Sequence, residues 1–198
     1  MKELATAPHG LHGSLTVPGD KSISHRAVML GAISKGETVI HHFLDGDDCL
    51  STLKAFNDMG VKSERDGGTV VIHGNGIDAL NKPAQPLDMG NSGTTTRLLM
   101  GILAGRDFET RLFGDASLQK RPMKRVSEPL SHFGAQIELT DAGTLPAVIH
   151  GQKLHGTNYQ MQVASAQVKS ALIFAALQAD TPSTIIEKLP TRNHTEIM

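Results

Sequence analysis

The chain has no tryptophan, one tyrosine, six phenylalanines and a single cysteine among its 198 residues. So thin an aromatic complement argues against base stacking as the main business of this protein. A lone Cys49 cannot form an intramolecular disulfide. Charge of neither sign dominates: Lys and Arg number 19 against 20 Asp and Glu, giving a formal net charge of −1 and no global basic field for nucleic acid. No stretch reaches the apolar length of a membrane span, and Met1-Lys2-Glu3-Leu4 opens no signal-peptide apolar region. The composition is that of a soluble, cytoplasmic domain with an ordinary core, so Asn193-His194-Thr195 is not expected to act as a glycosylation signal.

Two stretches stand out against this plain background. Gly19-Asp20-Lys21-Ser22-Ile23-Ser24-His25-Arg26 and Asn91-Ser92-Gly93-Thr94-Thr95-Thr96-Arg97 each set small or hydroxyl-bearing residues before an apolar run, with a guanidinium one turn further on. Backbone N–H groups at a helix start, hydroxyls and a planar cation together suit phosphate or carboxylate oxygens. The pattern returns at Ser165-Ala166-Gln167-Val168-Lys169.

That recurrence is an internal repeat. Ser22, Gly93 and Ser165 each precede a cation by four positions, and the cations are evenly spaced (97 − 26 = 71; 169 − 97 = 72). Val71-Ile72-His73-Gly74 also recurs as Val148-Ile149-His150-Gly151 (148 − 71 = 77), the extra residues falling in loops. Such a period exceeds the common solenoid repeats, so each copy reads as a small subdomain.

Within one copy a short strand (Ser14 to Val17) stops at Pro18-Gly19, and a helix from about Ser24 to Ile33 follows. That helix is apolar nearly all round, which predicts burial. Strands follow at Thr38 to Phe43 and, in the later copies, at Phe108 to Phe113 and Thr184 to Ile186. A second helix opens near Asp47-Asp48, whose carboxylates suit a helix N-terminus, and stops at Met59-Gly60, matched by Phe133-Gly134. Val61 to Glu64 and Thr69 to His73 then pair about Asp66-Gly67-Gly68. The class is mixed α/β (α+β), built from repeated β-α-β-α-β-β units with buried helices. Pro129 inside the second helix of copy two predicts a kink or a late start. Asn81 to Pro86 is a plausible joint between copies. One more period beyond Gly151 places the third closing strand near residue 223–228, past Met198, so roughly a third of the last copy is expected to lie beyond this sequence.

The same residues limit the chemistry. Lys21-Ser22 invites a Walker A reading, but Asp20 stands where that motif needs glycine. Lys21 and Arg26 could be a solvated pair at a helix start. Yet cations there oppose the helix dipole, and three copies making that choice predict a compensating anion. Asn91 to Arg97 could be a capped turn in which Gly93 serves only a positive φ. The functional alternative is that Gly93 lets a ligand approach the backbone, with Asn91 and the Thr94 N–H as donors. In Gly114 to Arg125, Lys120, Arg121, Lys124 and Arg125 cannot all face one ligand. Arg121, held by Pro122, is the best candidate for a bidentate contact, and Pro122 suits a first helical turn. His9 with His12, and His41 with His42, lack the acidic or thiolate partners of a metal site. His25 before Arg26 suits a solvent-facing position, and no nucleophile triad follows from spacing.

Five ordered motifs now carry a resemblance: Pro18 to Arg26, Gly90-Asn91-Ser92-Gly93-Thr94, Gly114 to Leu118 with Arg121-Pro122-Met123, Ala164-Ser165-Ala166-Gln167, and Arg192 to Glu196. From about Leu11 to Met198 the chain resembles the EPSP synthases, the 3-phosphoshikimate 1-carboxyvinyltransferases of the shikimate pathway. It resembles the bacterial type whose third motif reads Ser-Ala-Gln. Asn193 departs from the Asp common in relatives.

The resemblance implies enolpyruvyl transfer from phosphoenolpyruvate to the 5-hydroxyl of shikimate 3-phosphate, through a tetrahedral phospholactoyl-type adduct and without metal or organic cofactor. It implies that Ser22, Arg26, Ser165, Ala166, Gln167 and Arg192, with Lys21, hold shikimate 3-phosphate. Lys21, Asn91, Gly93, Thr94, Arg121 and Gln167 would address phosphoenolpyruvate, with Lys21 and Arg121 catalytic. Family members are targets of glyphosate, which occupies the phosphoenolpyruvate region. It also implies that 14–198 forms one domain of three units (about 14–80, 81–152 and an incomplete 153–198). Segment 1–13 would belong to the other domain, and the main acid/base groups to a C-terminal half that this sequence lacks, leaving this part inactive alone. Two alternatives stand beside it. One is a non-catalytic anion-binding half-enzyme. The other is the related transferase acting on UDP-N-acetylglucosamine, disfavoured by Ser22 and by the absence of cysteine from Asp115 to Arg121.

Overall fold

The computed structural model describes Gly10 and residues 12–198. Expectations for segment 1–13 and for His9 therefore lie almost wholly outside the described residues. In chain order the elements are α1 (Lys21–Ile33), β1 (Lys35–Ile40), α2 (Asp47–Asp58), β2 (Lys62–Asp66), β3 (Thr69–Asn75), β4 (Leu87–Asp88), α3 (Gly93–Leu103), β5 (Glu109–Phe113), α4 (Lys124–Ser131), β6 (Gln136–Glu138), β7 (Ala147–His150), β8 (Asn158–Gln160), α5 (Ala166–Ala176), β9 (Thr184–Ile186) and α6 (His194–Ile197). The fold is mixed α/β, as the repeat predicts, and no described helix is long and apolar enough to cross a membrane.

Three small sheets carry the repeat. Strands β1, β3 and β2 lie side by side, all antiparallel. The second sheet runs β4-β5-β7-β6, with β4 parallel to β5 and the others antiparallel. A parallel pair, β8-β9, makes the third. Copy two thus shows the full β-α-β-α-β-β order. Copy one does not: Ser14 to Val17 form no strand, and Leu15 and Val17 are 83% and 69% exposed. Alternating β-formers without an apolar surface to cover have nothing to hold them in a sheet.

The recurring Val-Ile-His-Gly has a structural cause. Ile72 and Ile149 are buried, while His73 lies between Glu37 and Glu64 (3.7 and 3.3 Å) and His150 between Glu109 and Glu138 (3.6 and 3.0 Å). A side chain at Gly74 would strike the Gly31 and Ser34 carbonyls, and one at Gly151 the Arg106 carbonyl. Each closing strand therefore ends where neighbouring backbone crosses it.

Helix starts differ from the expectation in an informative way. Helix α1 begins at Lys21 rather than near Ser24, because the Asp20 carboxylate accepts the Ile23 N–H (2.9 Å) and caps it. Ser92 caps α3 and Ser165 caps α5. Ser22, Gly93 and Ser165 are therefore not equivalent: they are the second helical residue, the first, and the cap. What the repeat preserves is the place of the cation. Helix α4 starts late relative to α2, since the glycine stops are offset by 134 − 60 = 74 but the helix starts by 124 − 47 = 77, yet Pro129 still lies inside it. Pro122 consequently precedes the helix instead of lying in its first turn.

Helices α1, α3 and α5 form the centre, and their inward residues are almost all apolar: Val28, Met29, Leu98, Leu99, Met100, Ile102, Leu172 and Phe174 are fully buried. Helices α3 and α5 make the broadest helix–helix contact. They meet at Gly101, where an added Cβ would lie 2.1 Å from the Ala171 carbonyl oxygen. Gly101→Ala should therefore destabilise the chain by about 2 kcal/mol, overpacking outweighing the gain in helix propensity. Urea unfolding measures it, and unchanged or higher stability would contradict this crossing.

His25 is not solvent-facing as the sequence suggested; it is fully buried. Burial, with Lys21 and Arg26 nearby, pushes its imidazole down from 6.5 to about 4, against a smaller opposing pull from Asp48. The unfolded chain binds a proton near pH 6.5 that the folded chain refuses until about 4. Stability contributed by neutral His25 is thus complete above that window and lost as pH falls through it, on the order of 3 kcal/mol at most. Unfolding free energies between pH 7 and 4.5 should decline more steeply for wild type than for His25→Asn. Equal slopes would show that His25 is not held neutral.

Candidate active site

The first turns of α1, α3 and α5 are tied to one another by side chains. Arg26 of α1 reaches the Ser170 hydroxyl of α5 (2.7 Å). Gln167 of α5 donates to Thr94 Oγ1 of α3 (3.0 Å) and accepts from Arg97 (3.0 Å). His25 of α1 and Thr95 of α3 meet through Thr52 of α2, both contacts at 2.6 Å. Three capped helix N-termini, each with N–H groups free of intrahelical partners, therefore gather in one region.

Around that region lies a cluster of cations with little acid to balance it. Arg97 is buried, 6% exposed, and donates to the Gly93 and Pro122 carbonyls and to Gln167 Oε1. Its Nε has no partner. Burial, together with the neighbouring Arg125 and Arg121, lowers its pKa to about 10. Arg125 shares Gln167 Oε1 (3.1 Å), so both ends of that amide are fixed.

Arg121 follows a short 3-10 turn (Leu118–Lys120), and its guanidinium donates to Asn91 Oδ1. The Asn91 amide is in turn held by Asp115, 2.6 Å from Nδ2. Asp115 also accepts the Leu118 N–H, and the Asn91 amide followed by that N–H holds its carboxyl below the usual range. Gly93 is not a positive-φ residue; that role belongs to Gly90, at φ 54°. Gly93 opens α3, and a Cβ there would lie 2.8 Å from an Arg97 nitrogen and 3.2 Å from one of Arg121. A side chain at this position would press on both guanidiniums.

Lys21 is half exposed and paired with Asp48 of α2. Ser22 is half-buried beside it, and its carbonyl accepts from Arg26 (3.0 Å). Arg192, largely exposed, points its guanidinium at the Asp20 carboxylate from 4.0 Å. Ser165 caps α5 through the Val168 N–H, and Ala166 is the first residue of that helix.

The expectation that the three repeated cations face an anion fails for Lys169. It is 4% exposed and held by Glu187 and Glu196 at 2.7 and 2.5 Å. Burial alone would lower its pKa, but those two carboxylates raise it. Arg26, 3% exposed, donates to Ser22, Ser170 and Thr195. Those contacts use three of its five N–H groups. Only Lys169 of the three is paired with carboxylates; Arg26 and Arg97 donate to carbonyl, hydroxyl and amide oxygens.

The structure thus brings Asn91, Gly93, Thr94, Arg121 and Gln167 into one cluster and sets Lys21, Ser22, Arg26, Ser165, Ala166 and Arg192 at the adjoining helix starts. Sequence reasoning passed over Asp48, Asp115 and Arg125 as site members. Asp115 could have been found, since it lies in the Gly114 to Leu118 motif. Asp48 was read only as a helix-start carboxylate. Among the described residues, no three of His, Cys, Asp and Glu gather so as to hold a metal ion.

Residues 5–198 match the sequence model of the family described as EPSP synthase (3-phosphoshikimate 1-carboxyvinyltransferase). The chain is 62% identical over 197 residues to the 3-phosphoshikimate 1-carboxyvinyltransferase of Lactiplantibacillus plantarum, covering 99% of this chain and 45% of that protein. It is 60% identical to that of Limosilactobacillus fermentum, covering 98% and 45%. The solved EPSP synthase of Acinetobacter baumannii superposes with a TM-score of 0.90 at 51% identity, over 93% of this chain and 42% of that one. The chain spans a little under half the length of these relatives. Matching motifs, near-complete coverage of this sequence and a shared fold converge, and the chain belongs to the EPSP synthase family.

Proposed function

We propose that this chain supplies one wall of the site for enolpyruvyl transfer from phosphoenolpyruvate to the 5-hydroxyl of shikimate 3-phosphate, yielding 5-enolpyruvylshikimate 3-phosphate and phosphate in the shikimate pathway. The observation that carries this reading is the approach of the Arg97 and Arg121 guanidiniums to Gly93, where an added Cβ would lie 2.8 and 3.2 Å from them, with no protein carboxylate on Arg97. Both substrates are multiply anionic, and holding them together requires clustered cations that offset their repulsion.

In this reading Lys21, Asn91, Gly93, Thr94, Arg121 and Gln167 receive phosphoenolpyruvate. Lys21, Ser22, Arg26, Ser165, Ala166, Gln167 and Arg192 receive shikimate 3-phosphate. The substrate hydroxyl adds to C2 of phosphoenolpyruvate while C3 gains a proton, giving the tetrahedral adduct. The C2–O bond to phosphate then breaks and C3 gives the proton back. Lys21 and Arg121 stabilise the charge that moves onto the phosphate oxygens. The proton-moving carboxylates are assigned to a C-terminal half, so the 198-residue chain alone should show no transfer. A purified sample free of complete enzyme that turned over both substrates at an ordinary enzymatic rate would overturn that division, as would failure of the complete transferase to turn over at all.

In the complete transferase bearing this segment, Lys21→Ala or Arg121→Ala should depress kcat/KM by roughly a hundredfold or more. The melting temperature should change little, since exposed cations contribute little to folding. Near-normal turnover in Lys21→Ala would remove the electrostatic role given to that residue. Gly93→Ala should press on both guanidiniums. The expected result is a raised glyphosate inhibition constant, a smaller rise in KM for phosphoenolpyruvate and little change for shikimate 3-phosphate. A defect confined to shikimate 3-phosphate would mean that Gly93 faces the other ligand.

A further inference from the structure

Behind the site lies a buried chain of hydroxyls that the reaction itself does not use. His25 Nδ1 stands 2.6 Å from Thr52 Oγ1, which stands 2.6 Å from Thr95 Oγ1. Thr95 Oγ1 lies 2.6 Å from Ser92 Oγ and 3.4 Å from the Asp48 carbonyl oxygen, which Thr52 also approaches at 3.3 Å. His25, Thr52, Ser92 and Thr95 are all essentially removed from solvent. Polar groups so placed are costly unless every hydrogen finds an acceptor.

The protons can be placed so that every hydrogen finds one. His25 Nε2 is buried without a partner, and a bare acceptor nitrogen is tolerated better than an orphaned N–H. The ring proton therefore sits on Nδ1 and is donated to Thr52. The Ser92 hydroxyl donates to Thr95, and whichever of Thr52 and Thr95 accepts from the other donates to the Asp48 carbonyl (3.3 or 3.4 Å). In either case Thr95 is the node that joins the Ser92 branch to the Thr52 branch.

Its branches end on the working parts of the site. Ser92 caps α3 and immediately precedes Gly93. Asp48 holds Lys21 by its carboxylate. His25 lies one helical turn after Lys21 on α1. We infer that Thr95 is a positioning residue that sets the separation between Lys21 and the Gly93 turn, and thereby the fit of the anion held between them. The inference rests on the transferase reading above. Nothing in it requires Thr95 to touch a substrate.

Kinetics of the complete transferase bearing Thr95→Val, which keeps the shape and removes the hydroxyl, test this. Losing one node and leaving its buried partners unpaired should raise KM for phosphoenolpyruvate about tenfold, with KM for shikimate 3-phosphate within about twofold of wild type. Thr95→Ser should restore the phosphoenolpyruvate KM. A residue that merely supports folding would lower apparent kcat through loss of active protein and leave both KM values alone. Thr52→Val should act in the same direction, and the double variant should be little worse than either single one, because both interrupt one path. Unchanged phosphoenolpyruvate KM in Thr95→Val, failure of serine to restore it, or fully additive effects would overturn the inference. A second readout is independent of turnover: nitrogen NMR of the His25 ring in this chain should show the proton on Nδ1, with its resonance shifted in Thr52→Val. A proton on Nε2 would reverse the path and overturn the inference. If wild-type complete enzyme shows no transfer, the transferase reading falls, while the ring tautomer still tests the placement of the protons.

Discussion

The crossing of α3 and α5 at Gly101 is the contact on which the rest depends. Because Gly101 has no side chain, α3 can lie against the backbone of α5 at Ala171. One to two turns toward the N-termini, that closeness puts Gln167 within reach of Thr94 and Arg97. A helix pair held further apart would leave the Gln167 amide without its three partners and Arg97 without its principal acceptor. The apolar packing and the polar site are thus consequences of one close approach.

Around that crossing, the buried cations act as ties rather than as surface charges. Arg26 links α1 to α5 and to Thr195 at the start of α6, and Lys169 gathers Glu187 and Glu196 about α5. Removing one member of such a group is expensive because its partner stays buried without compensation. Arg97 differs in its charged neighbours, which are the cations Arg125 and Arg121, whereas Glu196 and Asp20 lie near Arg26. The repeat supplied three similar positions, of which Lys169 is closed off by two carboxylates while Arg97 is held beside Gly93 by carbonyl and amide oxygens.

How much could be read beforehand follows the range of the forces involved. The buried helices, the glycine stops at Gly60 and Gly134 and the turn at Gly67-Gly68 are local matters of periodicity, capping and turn geometry. The strand expected at Ser14 to Val17 failed because a strand needs a partner and a surface to cover, and neither is written in those four residues. Gly93 and Gly90 could not be told apart by sequence, since both a positive φ and a close approach ask for glycine. The solvent-facing reading of His25 failed for a similar reason: its burial is decided by α2 and α3 closing over it.

The sequence by itself determined the mixed α/β class, the internal repeat and the family to which the motifs point, because each is encoded in neighbours along the chain or in ordered short motifs. Only the tertiary structure decided which of the three repeated cations is compensated by carboxylates, which glycine takes a positive φ, and that Asp48, Asp115 and Arg125 contact Lys21, Asn91 and Gln167. Those outcomes depend on contacts between residues tens of positions apart. An ion pair or a buried hydrogen bond exists only once packing has brought both partners together and removed the water that would otherwise satisfy each.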